Sequence, residues 1–162
     1  MTTIYPGRFT AKTDQPFVVF LIGMRINNIW AIHKWLPVSN AMAPMMRELY
    51  KHPEKGFLGG TYAISPSGPL LVQYWRSFED LERFARDPSD PHLPAWKRFY
   101  QTLKNGDTAV GVWHETYLIQ PGQYEAVYSK MPRFGLASVM EHVPATARRD
   151  TARGRLKEAT AD

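Results

Sequence analysis

The sequence predicts a single α+β domain, and three observations support this prediction. Its 162 residues, 44% of them hydrophobic, are enough for one hydrophobic core but not for two full-sized domains. Four apolar segments rich in β-branched and aromatic residues have the composition of strands. Two further segments repeat apolar residues at the helical spacing i, i+3, i+4, i+7. The predicted order is strand, helix, two strands joined by a hairpin turn, helix and strand.

Residues 17–24 form the first predicted strand of the sheet. They are apolar on both faces and follow Pro16, as expected for a central strand. We interpret residues 1–15, which contain the turn pair Pro6-Gly7, as a lead-in to this strand.

The first helix is predicted within residues 29–50. Asn27 or Asn28 is a suitable N-cap, and Pro37 and Pro44 predict two short helices or one kinked helix. The second part of this segment has one apolar face, formed by Met42, Met45, Met46 and Leu49.

Residues 57–64 and 70–75 are the next two predicted strands. The turn residues at 65–68 join them as an antiparallel hairpin. A second helix begins after Ser77, an N-cap followed three positions later by an acidic residue. The prolines within residues 87–94 interrupt this helix. It resumes with a second apolar face formed by Trp96, Phe99, Tyr100 and Leu103.

Residues 109–119 form the last predicted strand, and of the four predicted strands it is the best patterned, with side chains alternating between two faces. One face carries Val110, Val112, His114, Thr116 and Leu118. The other face carries Gly111, Trp113, Glu115, Tyr117 and Ile119. The complete order matches the split βαβ, or ferredoxin-like, βαββαβ arrangement with an antiparallel sheet. A C-terminal extension follows over residues 123–144.

The two helices cover only one face of such a sheet, so the other face needs a different cover. A second copy of the chain or the C-terminal extension can supply it, and we expect a homodimer packed sheet on sheet. The space between the facing sheets is a natural apolar pocket for a small-molecule substrate. We expect His114 to face this enclosed space.

We divide the chain into a domain at residues 1–144 and a basic tail at residues 145–162. The net charge is +5, and we interpret the charged tail as a solvated or frayed helix, not as a nucleic-acid-binding segment. The sequence contains no cysteine, which excludes disulfides and cysteine-bound metals. It shows no signal pattern and no apolar run that could span a bilayer. We therefore expect a cytoplasmic protein with no nucleic-acid or membrane partner.

The last strand carries the candidate catalytic residues. His114 is the first choice, because an imidazole in a pocket can act as a base or ligate a metal or haem iron. Glu115 and Tyr117 share the opposite face and form either a base–donor pair or a structural hydrogen bond. His114 and Glu115 can face the same pocket only if a bulge lies in the strand.

Six further residues are candidate substrate contacts. Arg76 could bind a carboxylate, although pairing with a nearby acid such as Glu79 is the alternative. His92 lies in a rigid proline-rich loop, where it could reach a pocket or cap the resumed helix together with Asp90. The remaining candidates are aromatic, and a place in the core is the alternative for Trp75: Phe20, Trp75, Trp96 and Trp113.

Three segments have a familiar combination of residues: Gly23-Met24-Arg25, Gln73-Tyr74-Trp75-Arg76-Ser77 and Val112-Trp113-His114-Glu115-Thr116-Tyr117. With them the chain, up to about Pro144, resembles a bacterial and fungal family grouped with a monooxygenase-like protein of the fumagillin biosynthetic cluster. The resemblance implies the dimeric α/β-barrel superfamily and an oxygenase that acts on an apolar or aromatic small molecule. Related members include monooxygenases that use neither metal nor flavin, and haem enzymes such as aldoxime dehydratases and chlorite-dismutase-like proteins.

The resemblance leaves two chemistries open, both centred on His114. Without a cofactor, His114 deprotonates the substrate or holds its anion, and the carbanion reacts with O₂ in a dry aromatic pocket. With haem, His114 is the axial ligand, and Arg76 or Arg25 binds a propionate. The third possibility is a non-catalytic dimer that binds a ligand.

Overall fold

Two antiparallel sheets organise the chain in the computed structural model, which describes residues 2–87 and 106–158. The strands there are β1 (Tyr5–Lys12), β2 (Phe17–Ile26), β3 (Phe57–Ser65), β4 (Gly68–Trp75), β5 (Val110–Ile119), β6 (Tyr128–Met131) and β7 (Glu141–Pro144). The α-helices are α1 (Ile32–Lys51), α2 (Phe78–Arg86) and α3 (Ala152–Glu158). Short 3₁₀ helices lie at Pro53–Lys55, Gly135–Ser138 and Ala147–Arg149.

The main sheet has the strand order β3-β4-β2-β5, which is the predicted ferredoxin-like arrangement. β2 is a central strand, with Val18 opposite Trp75 of β4 and Leu118 of β5. A strand with neighbours on both sides and a packed layer on each face is apolar throughout, as the sequence of β2 indicated. The predicted hairpin is also confirmed, because Ser65 and Gly68 close the turn between β3 and β4.

One face of the main sheet, which we call the helix side, packs against α1 and α2. Its core consists of Val18, Ile22, Met45, Leu49, Phe57, Leu71, Trp75, Leu81 and Phe84. Met42 and Met46 pack against this cluster, so the predicted apolar face of the second part of α1 is confirmed. Full burial of each large apolar side chain contributes roughly 1.5–3 kcal/mol, and this layer is therefore a main source of stability.

α1 is one helix that contains Pro37 and Pro44, so of the two predicted alternatives the pair of short helices is wrong. Both halves of α1 pack on the sheet, and this packing offsets the backbone hydrogen bond that each proline removes. Neither Asn27 nor Asn28 caps the helix. The Asn28 side chain instead accepts a hydrogen bond from the Trp30 backbone N–H in the preceding turn.

α2 begins as predicted. The Ser77 hydroxyl accepts a hydrogen bond from the Asp80 backbone N–H at 3.1 Å, which satisfies one of the free donors of the first turn. The predicted resumption of this helix after the proline-rich loop falls on residues 88–105, outside the described part of the chain.

The other face of the main sheet, which we call the outer side, is partly covered by a second sheet that the sequence does not predict. Its order is β6-β1-β7. Leu136 and Ala137, which connect β6 to β7, pack against Phe17 and Tyr74 of the main sheet. β6 and β7 have four residues each and pair with a strand more than a hundred positions away, so local sequence patterns give no signal for them.

The segment after β7 is also packed against the protein. Arg155 of α3 is only 8% exposed, and its Nε donates to Glu125 at 2.6 Å. Arg8 of β1 forms an ion pair with Asp150 at 2.6 Å. The segment is a mostly exposed helix, as interpreted, but it is not frayed at Arg155, because a buried guanidinium needs fixed partners that a run of charges does not reveal. None of the described helices is both long and apolar enough to cross a membrane.

Candidate functional site

The β2–β5 register separates the candidate catalytic residues between the two faces of the main sheet. His114 lies opposite Ile22, a buried residue of the helix side, so its side chain also faces the helix side. Glu115 lies opposite Leu21 and faces the outer side with Tyr117. The pairing runs without a bulge from Phe17–Ile119 to Ile26–Val110. His114 and Glu115 therefore do not share a site.

The position of His114 also corrects the expectation that its ring faces a space enclosed by two sheets. That space would lie on the outer side, because α1 and α2 occupy the helix side. The sequence could not settle this, since strand alternation shows which residues share a face but not which layer covers it.

A partly exposed row of side chains lies along β5 and the neighbouring part of β2 on the helix side. It is formed by Phe20, His114, Thr116 and Leu118, and we call it the helix-side trough. Leu118 is 61% exposed, and His114 is also exposed, whereas Val18 and Ile22 on the neighbouring strand are buried. The apolar side chains of Phe20 and Leu118 are therefore accessible on this face, and such a surface is suited to contact with a planar apolar molecule.

The imidazole of His114 lies beside the Phe20 ring. Its ring centroid is 5.6 Å from that of Phe20, with the two planes tilted by 40°. Within residues 2–87 and 106–158 it takes part in no hydrogen bond or ion pair. A histidine with a free nitrogen beside an apolar surface can accept a proton from a bound molecule.

The deeper part of the helix side holds Trp75, which is fully buried. Its indole Nε1 donates to the Gln73 side-chain oxygen at 2.9 Å. Gln73 is itself only 1% exposed, and its Nε2 approaches the Met46 sulfur at 3.7 Å. Trp75 is therefore a core residue, the alternative that the sequence left open. Gln73 was not among the predicted site residues, although an amide in an apolar strand is a visible signal.

Glu115 and Tyr117 form a hydrogen-bonded pair on the outer side. The Tyr117 hydroxyl donates to the Glu115 carboxylate at 2.6 Å, and both side chains are exposed. This hydrogen bond, followed by the repulsion between the two negative charges, raises the pKa of the Tyr117 phenol. Nearby, the Trp113 indole lies directly over Gly23, where a β-carbon would be 2.7 Å from the ring. Trp113 and Phe20 consequently lie on opposite faces of the sheet.

Arg76 is engaged with Asp80, not directed at the helix-side trough. Its Nε donates to the Asp80 carboxylate at 2.8 Å, and Arg83 donates to the other oxygen at 2.8 Å. The hydrogen bond from Arg76 is the largest cause of the lowered pKa of Asp80. The sequence suggested Glu79 as the acidic partner, and the helical i, i+4 spacing favours Asp80 instead.

The residues named for a haem site do not come together. Arg25 lies opposite Gly111 on the outer side, and its Nε donates to the Asn27 side chain at 3.2 Å. Arg76 is held by Asp80, and His114 faces the helix side. No cluster of three or more His, Asp or Glu residues suited to a metal occurs in the described ranges. These donors do not fit an axially ligated haem, and we derive no chemistry through one. His92 and Trp96 lie outside the described residues.

The chain is thus an α+β protein of ferredoxin-like topology, and His114 lies on the helix side of its main sheet. A family model described as Monooxygenase af470-like matches residues 17–136, and the chain belongs to this family of the dimeric α/β-barrel superfamily. The match spans β2 to the 3₁₀ helix after β6, and so includes all residues of the trough.

A curated relative and two solved structures are similar to the chain. Monooxygenase af470 of Aspergillus fumigatus is 26% identical over 140 residues, which are 78% of this chain and 49% of that protein. The chain thus spans about half the length of this relative. SnoaB, a cofactor-independent oxygenase from Streptomyces nogalater, is 13% identical, with a TM-score of 0.41 over 64% of this chain and 93% of SnoaB. A dimeric ferredoxin-like protein of unknown function from Bacteroides fragilis is 15% identical, with a TM-score of 0.45 over 64% of this chain and 96% of that protein.

Proposed function

We propose that the chain is a monooxygenase-like enzyme that oxidises an apolar or aromatic small molecule in the helix-side trough. Membership of the Monooxygenase af470-like family supports this reaction class. The location of the proposed site rests on His114, which lies beside the Phe20 ring. His114 is exposed and has no hydrogen-bond partner in the described part of the chain. Glu115 and Tyr117, on the other face, have no direct part in this reaction.

The chemistry suited to this site needs no metal or flavin. A substrate with an acidic C–H group lies on the Phe20 ring, and the His114 imidazole removes the proton. The carbanion transfers electrons to O₂, one oxygen atom bonds to the carbon, and the other leaves as water. For a methylene group the balance is R₂CH₂ + O₂ → R₂C=O + H₂O, so the substrate supplies all the electrons.

We also propose that the protein forms a homodimer through the outer side. The second sheet covers only the half of this side that contains Phe17, Val19 and Tyr74. The other half, which we call the free sheet face, comprises Leu21, Ala63, Leu70 and Trp113. A second copy is a natural occupant, because a two-fold axis places the same surface against itself, with Glu115 and Tyr117 of β5 beside its apolar residues.

The proposed role of His114 is tested by oxygen uptake with 2-tetralone, a ketone with an acidic methylene group. We expect His114→Ala to reduce the enzyme-dependent rate at least about 100-fold, the usual contribution of a positioned base. His52→Ala is the matched control, because His52 lies after α1 and pairs with Glu48 and Glu54. It should keep the wild-type rate.

Two results would contradict the proposal. One is a His114→Ala variant that consumes oxygen at the wild-type rate while remaining folded by circular dichroism. The other is a wild-type product that carries no ¹⁸O after reaction under ¹⁸O₂. Tetralin, the same ring system without the acidic C–H group, should cause no oxygen uptake.

A further inference from the structure

The side-chain amide of Gln73, in the helix-side core, has a hydrogen-bond donor that is not paired with a strong acceptor in the described residues. Its side-chain oxygen is occupied by the Trp75 indole, which fixes the orientation of the amide. The amide nitrogen carries two hydrogens, and its single partner in the described part of the chain is the Met46 sulfur at 3.7 Å. A thioether is a weak acceptor, so the donor capacity of this 1% exposed amide is nearly unused.

The Met46 side chain can move away from this amide, because of its position and its flexibility. It is only partly buried, at the boundary of the core. Its methyl group fills the space above Gly60, where a β-carbon would lie 3.4 Å from Met46 Cε. Methionine is unbranched and changes rotamer easily, and it fills irregular gaps without fixing them. The sulfur therefore covers the amide in a way that a ligand can reverse.

Gln73 also lies on the same face as the helix-side trough. The register places Gln73 of β4, Phe20 of β2 and Thr116 of β5 in one row across the sheet, and His114 is one step along β5 on the same face. Adjacent strands are about 4.8 Å apart, so Gln73 and β5 are separated by roughly 10 Å with Phe20 between them. A fused two- or three-ring molecule lying on Phe20 has the length to reach both.

From this juxtaposition we propose that the Gln73 amide is a substrate-positioning donor, covered by Met46 when the site is empty. The ligand it takes is an apolar ring ketone whose carbonyl carbon is bonded to the carbon of the reacting C–H group, as in 2-tetralone. The oxygen displaces the Met46 sulfur and accepts the amide hydrogen bond, which directs the C–H group towards His114. This inference rests on the proposed function for the direction of the reacting group, but the binding step can be measured separately.

The test compares two ligands of equal shape, 2-tetralone with a ketone oxygen and tetralin without one. Titration calorimetry of the wild type should show about tenfold tighter binding of 2-tetralone than of tetralin. This order is the opposite of the one expected from solvation alone, because water solvates the ketone better than tetralin. Gln73→Met keeps the volume but removes the donor, so it should abolish the preference and leave tetralin affinity unchanged. Met46→Leu removes the competing sulfur and should strengthen 2-tetralone binding about threefold.

Infrared difference spectra of carbonyl-labelled 2-tetralone measure the carbonyl stretching frequency of the bound ligand. This frequency would not change if Gln73 had only a structural role. The carbonyl stretch should shift to lower frequency in the wild type and in Met46→Leu, and stay unshifted in Gln73→Met. Equal binding of the two ligands by the wild type, or an unshifted carbonyl, would overturn the inference. Should Gln73→Met not fold, a Met46→Leu variant that binds 2-tetralone no more tightly than the wild type, with an unshifted carbonyl stretch, would overturn it as well.

The same experiment separates this inference from the proposed function. Gln73-dependent binding without oxygen uptake would retain the positioning role and remove the oxygenase. Oxygen uptake that depends on His114, with no preference between the two ligands in binding, would do the reverse. A wild type that binds neither ligand would contradict both.

Discussion

At the residue scale, the molecule separates two kinds of polar group on its sheet. Gln73 and His114 lie on the helix side with hydrogen-bonding capacity left over in the described structure, which is costly for the buried Gln73 unless it serves a ligand. Both carboxylate oxygens of Asp80 accept a hydrogen bond, one from Arg76 and one from Arg83. The first kind suits binding and the second suits stability.

Asp80 therefore provides a test of stability that is independent of function. Its side chain is 6% exposed, and Arg76 with Arg83 and Ser77 holds its pKa below the ordinary value. We expect Asp80→Asn to lower the free energy of unfolding by about 2 kcal/mol near pH 7, since hydrogen bonds to buried charges are worth 1.5–3 kcal/mol.

The difference between the two proteins should depend on pH in one direction. A carboxyl group whose pKa is lower in the folded state stabilises the protein above its unfolded pKa, about 3.9, and this contribution is lost as the pH falls through the folded pKa. Urea unfolding at pH 7 and below pH 4 measures it. A gap between wild type and Asp80→Asn that stays constant down to pH 2 would show that the charge of Asp80 contributes nothing.

At the element scale, local sequence patterns identified the elements of the main sheet and missed the second sheet. The apolar run of β2, the turn residues before β4 and the alternation of β5 each carry a local signal, and all three strands are present. β1 contains Pro6 and Gly7, which suggest a turn, and it becomes a strand only by pairing with β6 and β7. Pairing over such long sequence separation leaves no local trace.

The same limit applies to the candidate site. Alternation correctly placed His114 and Glu115 on opposite faces, but the identity of the covering layer depends on tertiary packing. The resemblance of the sequence identified the family, while the roles of Gln73 and Met46 could be considered only after the register was known.

The C-terminal segment is a second case in which tertiary packing decides the structure and the local run of charges does not reveal it. The contacts of Arg155 predict that the stability of α3 depends on this one side chain. Arg155 binds Glu125, and its NH1 also donates to the backbone oxygens of Arg149 and Asp150. Removing one partner of a buried pair leaves the other uncompensated. We expect Arg155→Ala to release α3 from the segment that contains Glu125 and to reduce stability by about 3 kcal/mol.

Hydrogen exchange measured by mass spectrometry locates this effect. Amides of residues 145–158 should lose protection in Arg155→Ala, whereas β2, β4 and β5 should keep theirs. Arg153→Ala is the matched control, because Arg153 is an exposed residue of the same helix. Unaltered protection of residues 145–158 in Arg155→Ala would mean that α3 is held by other contacts.

At the scale of the whole molecule, the unequal cover of the outer side makes a prediction about assembly. The chain covers one half of this face with its own C-terminal residues and leaves the free sheet face, where Trp113 is 38% exposed. Since monomeric proteins seldom expose a contiguous apolar sheet surface, we expect two copies to meet there. Light scattering during gel filtration should give twice the 18.6 kDa chain mass.

A charge placed in the free sheet face should separate the two copies. We expect Leu70→Glu to shift the protein to the monomer, because a carboxylate buried between two sheets without a partner is strongly unfavourable. Ile64→Glu is the matched control: Ile64 is 80% exposed and lies on the other face of the β3–β4 hairpin. It should leave the mass unchanged. A dimer that persists in Leu70→Glu but dissociates in Ile64→Glu would place the interface on the helix side, where it would compete with substrate for the trough.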